Sequence, residues 1–491
     1  GEVFTVAGGH YEKGLFQQLQ ETIARLEEVE KQRKLETAQL RQIIETQAKQ
    51  IMLMSKEIQL LREENDRLRS ILNNNSGNSS QPPSTDQKGK RTNTYNGREK
   101  SGRHKEAQAG HPGKTLTRAQ VEEQIATGKL QHKVIVHGSG CGRPIIKYVL
   151  DIEIVPYATE HRFYPNSAGQ YEIPRGYNSD VIYGDVLRAQ AVYLYSAGVV
   201  SNDRIREFIG SMTDGIIQPS AGSIYGMLSG FSHALSDELE NVQNDLLNQR
   251  VIYTDNTNIS IDGHPAFIRN LSTADAVLYT SMPRKNLDNL RQMPVLSAFA
   301  GTLVHDHEAA IYQFGTRHGE CNVHLLRHLA KNTEDTGHAW SDALRALLCS
   351  ANEARKRADS AGVPETEKQT YSEAYDALCT QGETENLDCK PKWAKQKEQA
   401  LLRRLRTYKS NYLLFLYDTA VAFDNNLSER DLRKCKNRQK MSGGFRTLDG
   451  AQMYCRILSF IETCKRRQLP LLSAILSVLK GRKVLCQAGI G

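Results

Sequence analysis

The chain has 491 residues, more than one hydrophobic core usually organises, so two to four domains are expected. Hydrophobic residues make up 39% and charged residues 24%, the balance of globular domains joined by polar segments. Lys and Arg outnumber Asp and Glu by 64 to 56, a mild basic excess that permits a polyanionic partner without demanding one. No apolar run approaches the roughly 18 residues of a membrane span, and the opening GEVFTVAGGHYEKG has no basic-then-apolar signal pattern. Nine scattered cysteines without a CxxC pair read as reduced thiols of a cytoplasmic protein, not as a disulfide framework.

Residues 14–72 carry a seven-residue apolar repeat. Phe16, Ile23, Ile44, Ile51, Ile58 and Leu72 fall at a; Leu19, Leu26, Leu40, Met54, Leu61 and Leu68 fall at d. Twelve of the seventeen a and d sites are apolar, enough to separate a seam from chance. Ile at a, Leu at d and Asn65 at an a site specify a parallel two-stranded coiled coil. Glu30, Arg33 and Gln47 interrupt its first half. The reading is a dimerisation helix.

Residues 73–117 are linker. NNNSGNSSQPPSTD (73–86) is turn chemistry. The run 88–105 then has seven Lys/Arg against one Glu and no apolar period. It is either a phosphate-neutralising arm, with Lys88, Lys90, Arg91 and Arg98 among its contacts, or a solvated tether.

Over 118–172, KVIVHG and IIKYVLDIEIVPY alternate as strands do and predict a small β-rich module. His132, His137 and Cys141 lie in it without a fourth metal ligand. Residues 173–250 are helical in pattern: one helix ends at Gly198, another opens at Ser201, and a third resumes after Pro219. A helix-turn-helix with 219–230 as reader fits, although that segment has no Arg, Lys, Asn or Gln for base edges.

The chemistry is expected in two pieces, 251–334 and 419–480. VIYTDNTNISIDG, HPAFIRNLS and AVLYTSMP make a three-strand meander with Asp255 inside the first strand. AFAGTLVHD is a fourth strand ending at Asp306. That is the arrangement of ribonuclease-H-like nucleases, whose carboxylates converge on divalent metals. The third carboxylate is Glu429, a turn inside a helix capped by Asp424 or Asn425. Arg430, Arg433, Lys434, Lys436, Arg438 and Lys440 follow it, a cluster suited to a phosphate chain. Neighbouring Asp262, Glu308 and Asp431 are expected to be dispensable. Residues 335–418 are charged and helical, an insertion into this domain, and 481–491 are a tail.

NSGNSSQPPSTD (75–86) and DNNLSERDLRKCKNRQKMSGGF (424–445) carry a resemblance to the DDE transposases of bacterial insertion sequences, specifically the insertion-sequence-66 family. The resemblance spans nearly the whole chain. It implies a multidomain α+β protein: parallel coiled coil, small β-rich module, helical DNA-binding region and a ribonuclease-H-like α/β catalytic domain with helical insertion. It implies Asp255, Asp306 and Glu429 as catalytic and metal-binding residues, Mg²⁺ (or Mn²⁺) as cofactor in two copies, and strand transfer as the reaction. Expected partners are double-stranded DNA at the element ends and target, a second copy of the chain, and in some relatives accessory proteins; the expected place is the nucleoid. The alternative is a catalytically silent DNA-binding dimer. CNVHLLRHL (321–329) places the family's histidine at His324. Two departures stand out. Only Cys141 remains of the family's two Cys pairs, so zinc is not expected, and Asn256 stands in TDNT where relatives often have Glu.

Overall fold

A long helix, a set of shorter ones and a single sheet follow one another along the chain. The computed structural model describes residues 8–75, 78–79, 116–137, 143–174, 176–177 and 179–485. Helix α1 (Gly8–Leu72) runs for 65 residues without a break, as its freedom from Gly and Pro beyond Gly14 allows. Its a and d residues, Ile44, Ile51 and Leu61 among them, are exposed. The basic run 88–105, with Lys88, Lys90, Arg91 and Arg98, lies outside the described residues, and so does Cys141.

Among the described residues of 118–172, the expected β-rich module is not formed. Its described residues hold α2 (Arg118–Ala126), capped by a reciprocal Thr117–Gln120 box, and no strand. The alternation is real, but no apolar layer lies beneath it: Val149 is 91% and Ile152 85% exposed. Strands gain stability from the face they bury, and these bury none.

Helices α3 (Asp185–Ser196), α4 (Asn202–Met212), α5 (Ala221–Ala234) and α6 (Ser236–Leu247) come next. The first begins later than its pattern suggests, at a Gly184 cap. Ser220 opens α5 by accepting from the Ser223 N–H at 3.0 Å. This helix, the candidate reader, gives Ile224, Leu228 and Phe231 to the core.

Five strands make the sheet: β1 (Val251–Ile261), β2 (His264–Ser272), β3 (Val277–Met282), then, after the short helices α7 (Leu287–Arg291) and α8 (Pro294–Ala298), β4 (Thr302–His305) and β5 (Arg317–Glu320). Their order is β3-β2-β1-β4-β5. The first three form the expected antiparallel meander, while β4 pairs parallel with β1 and β5 parallel with β4. Asp262-Gly263, both with positive φ, turns β1 into β2. Strand β5 has no apolar alternation to announce it.

The remaining helices are α9 (Asn322–Thr336), α10 (Ala339–Ala358), α11 (Glu365–Leu387), α12 (Lys392–Thr407), the single turns α13 (Lys409–Tyr412) and α14 (Leu414–Tyr417), then α15 (Asn426–Ser442), α16 (Leu448–Arg466) and α17 (Leu471–Leu479). The apolar residues of the sheet divide between two cores. One gathers α3–α6 and α15–α17, the other α9–α14. Helix α16 also closes the β3 edge: Ser459 Oγ and Thr463 Oγ1 accept from Tyr279 and Val277 N–H groups at 2.9 and 3.2 Å. The end of α1 is seated on α9. Lys331 donates to the Ser70 carbonyl (2.9 Å), Ser70 Oγ to Asp335 (2.7 Å), and Asn78 Nδ2 to Glu334 (2.6 Å). No helix among the described residues is long and apolar enough to cross a membrane.

Candidate active site

Strand register brings the first two acids together. Tyr253 of β1 pairs with Val304 of β4 in parallel, so Asp255 and Asp306 each stand two residues further on, where the two strands part. The carboxyl end of parallel strands is where an open α/β sheet leaves a crevice. His307, directly after Asp306, has a φ of 66°, a costly conformation for a histidine. Its Nδ1 lies 2.6 Å from Glu320 Oε1, which fixes the turn against the end of β5.

Glu429 reaches the same crevice because the start of α15 is fastened to the sheet. Asn425, fully buried, donates from Nδ2 to the Thr254 carbonyl (2.9 Å). Its N–H is directed at Cys321 Sγ (3.3 Å). Asn425 is the N-cap residue, without a side-chain capping bond, and Asp424 just before it accepts from the Asn426 N–H at 3.0 Å. Asn270, opposite Asp255 on β2, is the joint: its Oδ1 accepts from the Asp255 N–H (3.1 Å) and Ser428 Oγ (2.6 Å), and its Nδ2 donates to the Ser428 carbonyl (3.1 Å). The sequence reading passed over Asn270. The available signal was a polar Arg-Asn pair, both buried, inside the otherwise strand-like FIRNLS.

The electrostatics at Asp255 are those of a buried acid with like charge beside it. Burial, then the nearby charge of Asp306 and, more weakly, that of Glu429, push the Asp255 carboxyl up to about 7. Arg269, fully buried beneath, works against this rise. It is itself held by Glu308 Oε2 at 2.5 Å. His324 stands beside Glu429. Burial lowers its pKa, partly countered by the charges of Asp306 and Glu429. Its Nδ1 is 3.8 Å from Glu429 Oε1, and both atoms are buried without a hydrogen-bond partner. Burial pushes the Cys321 thiol far up, so it stays protonated. Glu429 keeps a buried oxygen without a hydrogen-bond partner, and a carboxylate oxygen so placed is a donor that a hard divalent cation can take.

The cations after Glu429 divide between two faces of α15. Arg430, Arg433, Lys436 and Lys440 are exposed. Arg438 is not on that face, contrary to expectation. It is buried, donates to the Val200 carbonyl at 2.8 Å and stacks 4.2 Å from the Tyr195 ring centroid. Helical spacing explains the split, since 434 and 438 share the inward side; Lys434 pairs there with Glu462. The Ser-Gly-Gly that follows is a fixed turn. Gly443 ends the helix left-handed, and a Cβ on Gly444 would stand 2.7 Å from the Ser260 carbonyl oxygen. Two of the acids expected to be dispensable are structural: Glu308 holds Arg269, and Asp431 holds Arg466 and accepts from Ser272 Oγ (2.7 Å). Asp262 lies in the exposed β1–β2 turn.

Residues 33–117 match the model of a family of unknown function, DUF6444, which spans the second half of α1 and the linker. No curated protein matches the chain. Residues 180–453 match the model described as Transposase IS66 family. That match covers more than half of the chain and takes in the crevice with Asp255, Asp306 and Glu429. The chain therefore belongs to the IS66 family of transposases.

Proposed function

We propose that the protein cleaves DNA at the ends of its insertion sequence and joins the freed 3′-hydroxyl to target DNA. In this reading the sheet is the core of a ribonuclease-H-like domain, and Asp255, Asp306 and Glu429 hold one or two Mg²⁺ ions, which Mn²⁺ can replace. The observation that carries it is the pressure on Asp255, raised to about 7 by burial and by the charge of Asp306 beside it, next to Glu429 Oε1, which is buried without a partner. Structural acids are arranged to relieve such pressure. When bound, divalent cations lower the pKa of an attacking water or hydroxyl and neutralise charge on the leaving oxygen. The chain's own residues do the rest. Asn270 and Asn425 hold the acids' backbones in place, and the exposed Arg430, Arg433, Lys436 and Lys440 run along the phosphates. The bare heptad seam of α1 supports pairing with a second copy in parallel, which would bring two crevices to two element ends.

The test uses duplexes carrying the element's ends. Asp255→Asn, Asp306→Asn and Glu429→Gln should each bind these ends as the parent does. Each should lose Mg²⁺- or Mn²⁺-dependent cleavage and joining by about 10³-fold or more. Full activity in all three variants refutes the assignment; an inactive parent that still binds DNA favours a silent DNA-binding dimer.

A further inference from the structure

We propose that His324 is itself a metal ligand, its Nδ1 and Glu429 Oε1 forming a mixed nitrogen–oxygen seat for one divalent cation. This rests on the reading of the three acids as a metal centre and adds a fourth donor to it. The two atoms face each other at 3.8 Å, too far for a hydrogen bond. Two ligands of one ion, each roughly 2.1 Å from it, stand between about 3 Å (adjacent) and about 4 Å (opposite) apart. Neither atom has another partner, and neither is open to water. Most buried side-chain polar atoms are paired, and these two atoms face each other unpaired.

The surroundings hold this pair in place. The N–H of Asn322, at the start of α9, donates to the Phe423 carbonyl at 3.0 Å. Asn425, at the start of α15, is tied to Cys321 and Thr254. The two helix starts that carry His324 and Glu429 are thus fastened to each other and to the sheet. Cys321 belongs to the same cluster, but a hard divalent cation such as Mg²⁺ or Mn²⁺ prefers oxygen and imidazole nitrogen to a soft sulfur, so the seat is N,O and not S,N,O. An imidazole nitrogen is a softer donor than a carboxylate oxygen and favours Mn²⁺ over Mg²⁺ relative to an all-oxygen site.

The probe is Mn²⁺ alone, added to the full-length protein and observed by electron spin-echo envelope modulation. The parent should show ¹⁴N coupling from a directly bound imidazole, and His324→Gln should lose it. In that variant Mn²⁺ affinity should fall by at least the roughly tenfold that loss of even an outer partner costs, with a smaller fall for Mg²⁺. If His324→Gln does not fold, the parent labelled with ¹⁵N-histidine should replace the ¹⁴N pattern by a ¹⁵N one. Mn²⁺ bound without nitrogen coupling, and lost in Asp255→Asn, overturns the histidine ligand while leaving the three-acid centre standing. Nitrogen coupling that persists in His324→Gln assigns the ligand elsewhere and also overturns it. Failure of the parent to bind Mn²⁺ overturns both.

Discussion

Among the described residues, two places bring together a histidine, a cysteine and a glutamate: Cys321, His324 and Glu429 in the crevice, and His338, Cys389 and Glu398 among the insertion helices. Composition does not distinguish them, but their hydrogen bonding does. Glu398 is fully buried, and its oxygens accept from Asn332 (2.8 Å), Trp340 Nε1 (2.7 Å) and Asn386 (2.7 Å), with His338 Nδ1 at 2.8 and 2.9 Å. Burial alone would raise its pKa, but these hydrogen bonds outweigh it and hold the carboxyl below its usual range. In the crevice the balance is reversed: Asp255 is raised, and Glu429 and His324 each leave a buried atom unpaired. A saturated carboxylate has no lone pair to offer an ion and serves as a joint for α9–α12. An unsaturated cluster of like charges costs stability, and a fold retains that cost where a ligand can offset it.

The largest test of this contrast is Glu398→Ala. It leaves buried Trp340, Asn332 and Asn386 donors without acceptors and should cost about 3–5 kcal/mol, read by denaturant unfolding, with metal affinity of the folded fraction unchanged. Were Glu398→Ala instead to abolish metal binding at full stability, the two clusters would have been assigned the wrong way round.

Asp255→Asn should have the opposite sign in metal-free protein. Below about pH 4 the carboxyl is protonated in both folded and unfolded chains, and the amide changes little. As pH rises from there to about 7, the unfolded chain gives up its proton first, so the native state loses stability, and the loss is complete above that. The variant should therefore be more stable than the parent by on the order of 4 kcal/mol at pH 8 and equal to it near pH 4. Thermal unfolding with chelator present measures this, and added Mn²⁺ should reverse the order at pH 8.

A smaller effect separates the two faces of α15. Arg438→Gln loses its stacking on Tyr195 and its bond to Val200 and should cost about 2 kcal/mol of stability. Arg433→Gln should leave unfolding unchanged. It should weaken binding to all duplexes alike and reduce the salt slope by about one. Equal effects of the two on unfolding would place Arg433 in the interior as well.

Periodicity made much of this visible in advance. The meander with Asp255 in its first strand, the strand before Asp306, the long α1 and the helix carrying Glu429 all follow from local pattern. The β-rich module of 118–172 went wrong because alternation specifies a face but not a layer to bury it against. Strand β5 was invisible because RHGE has no pattern of its own and becomes a strand only through the ladder with β4.

What the sequence determined by itself is the long α1, the β1–β3 meander, the strand before Asp306 and the helix carrying Glu429, since helix, strand and turn preferences act over a few residues. Tertiary structure alone decided the rest. The parallel register of β1 with β4 put Asp255 and Asp306 at the same level. Asn270, distant in sequence from Ser428, joined Asp255 to the Glu429 helix, and the packing of α15 turned Arg438 inward while leaving Arg433 in water. Burial, hydrogen-bond satisfaction and charge proximity depend on residues far apart along the chain. They are what separates the joint at Glu398 from the crevice at Glu429.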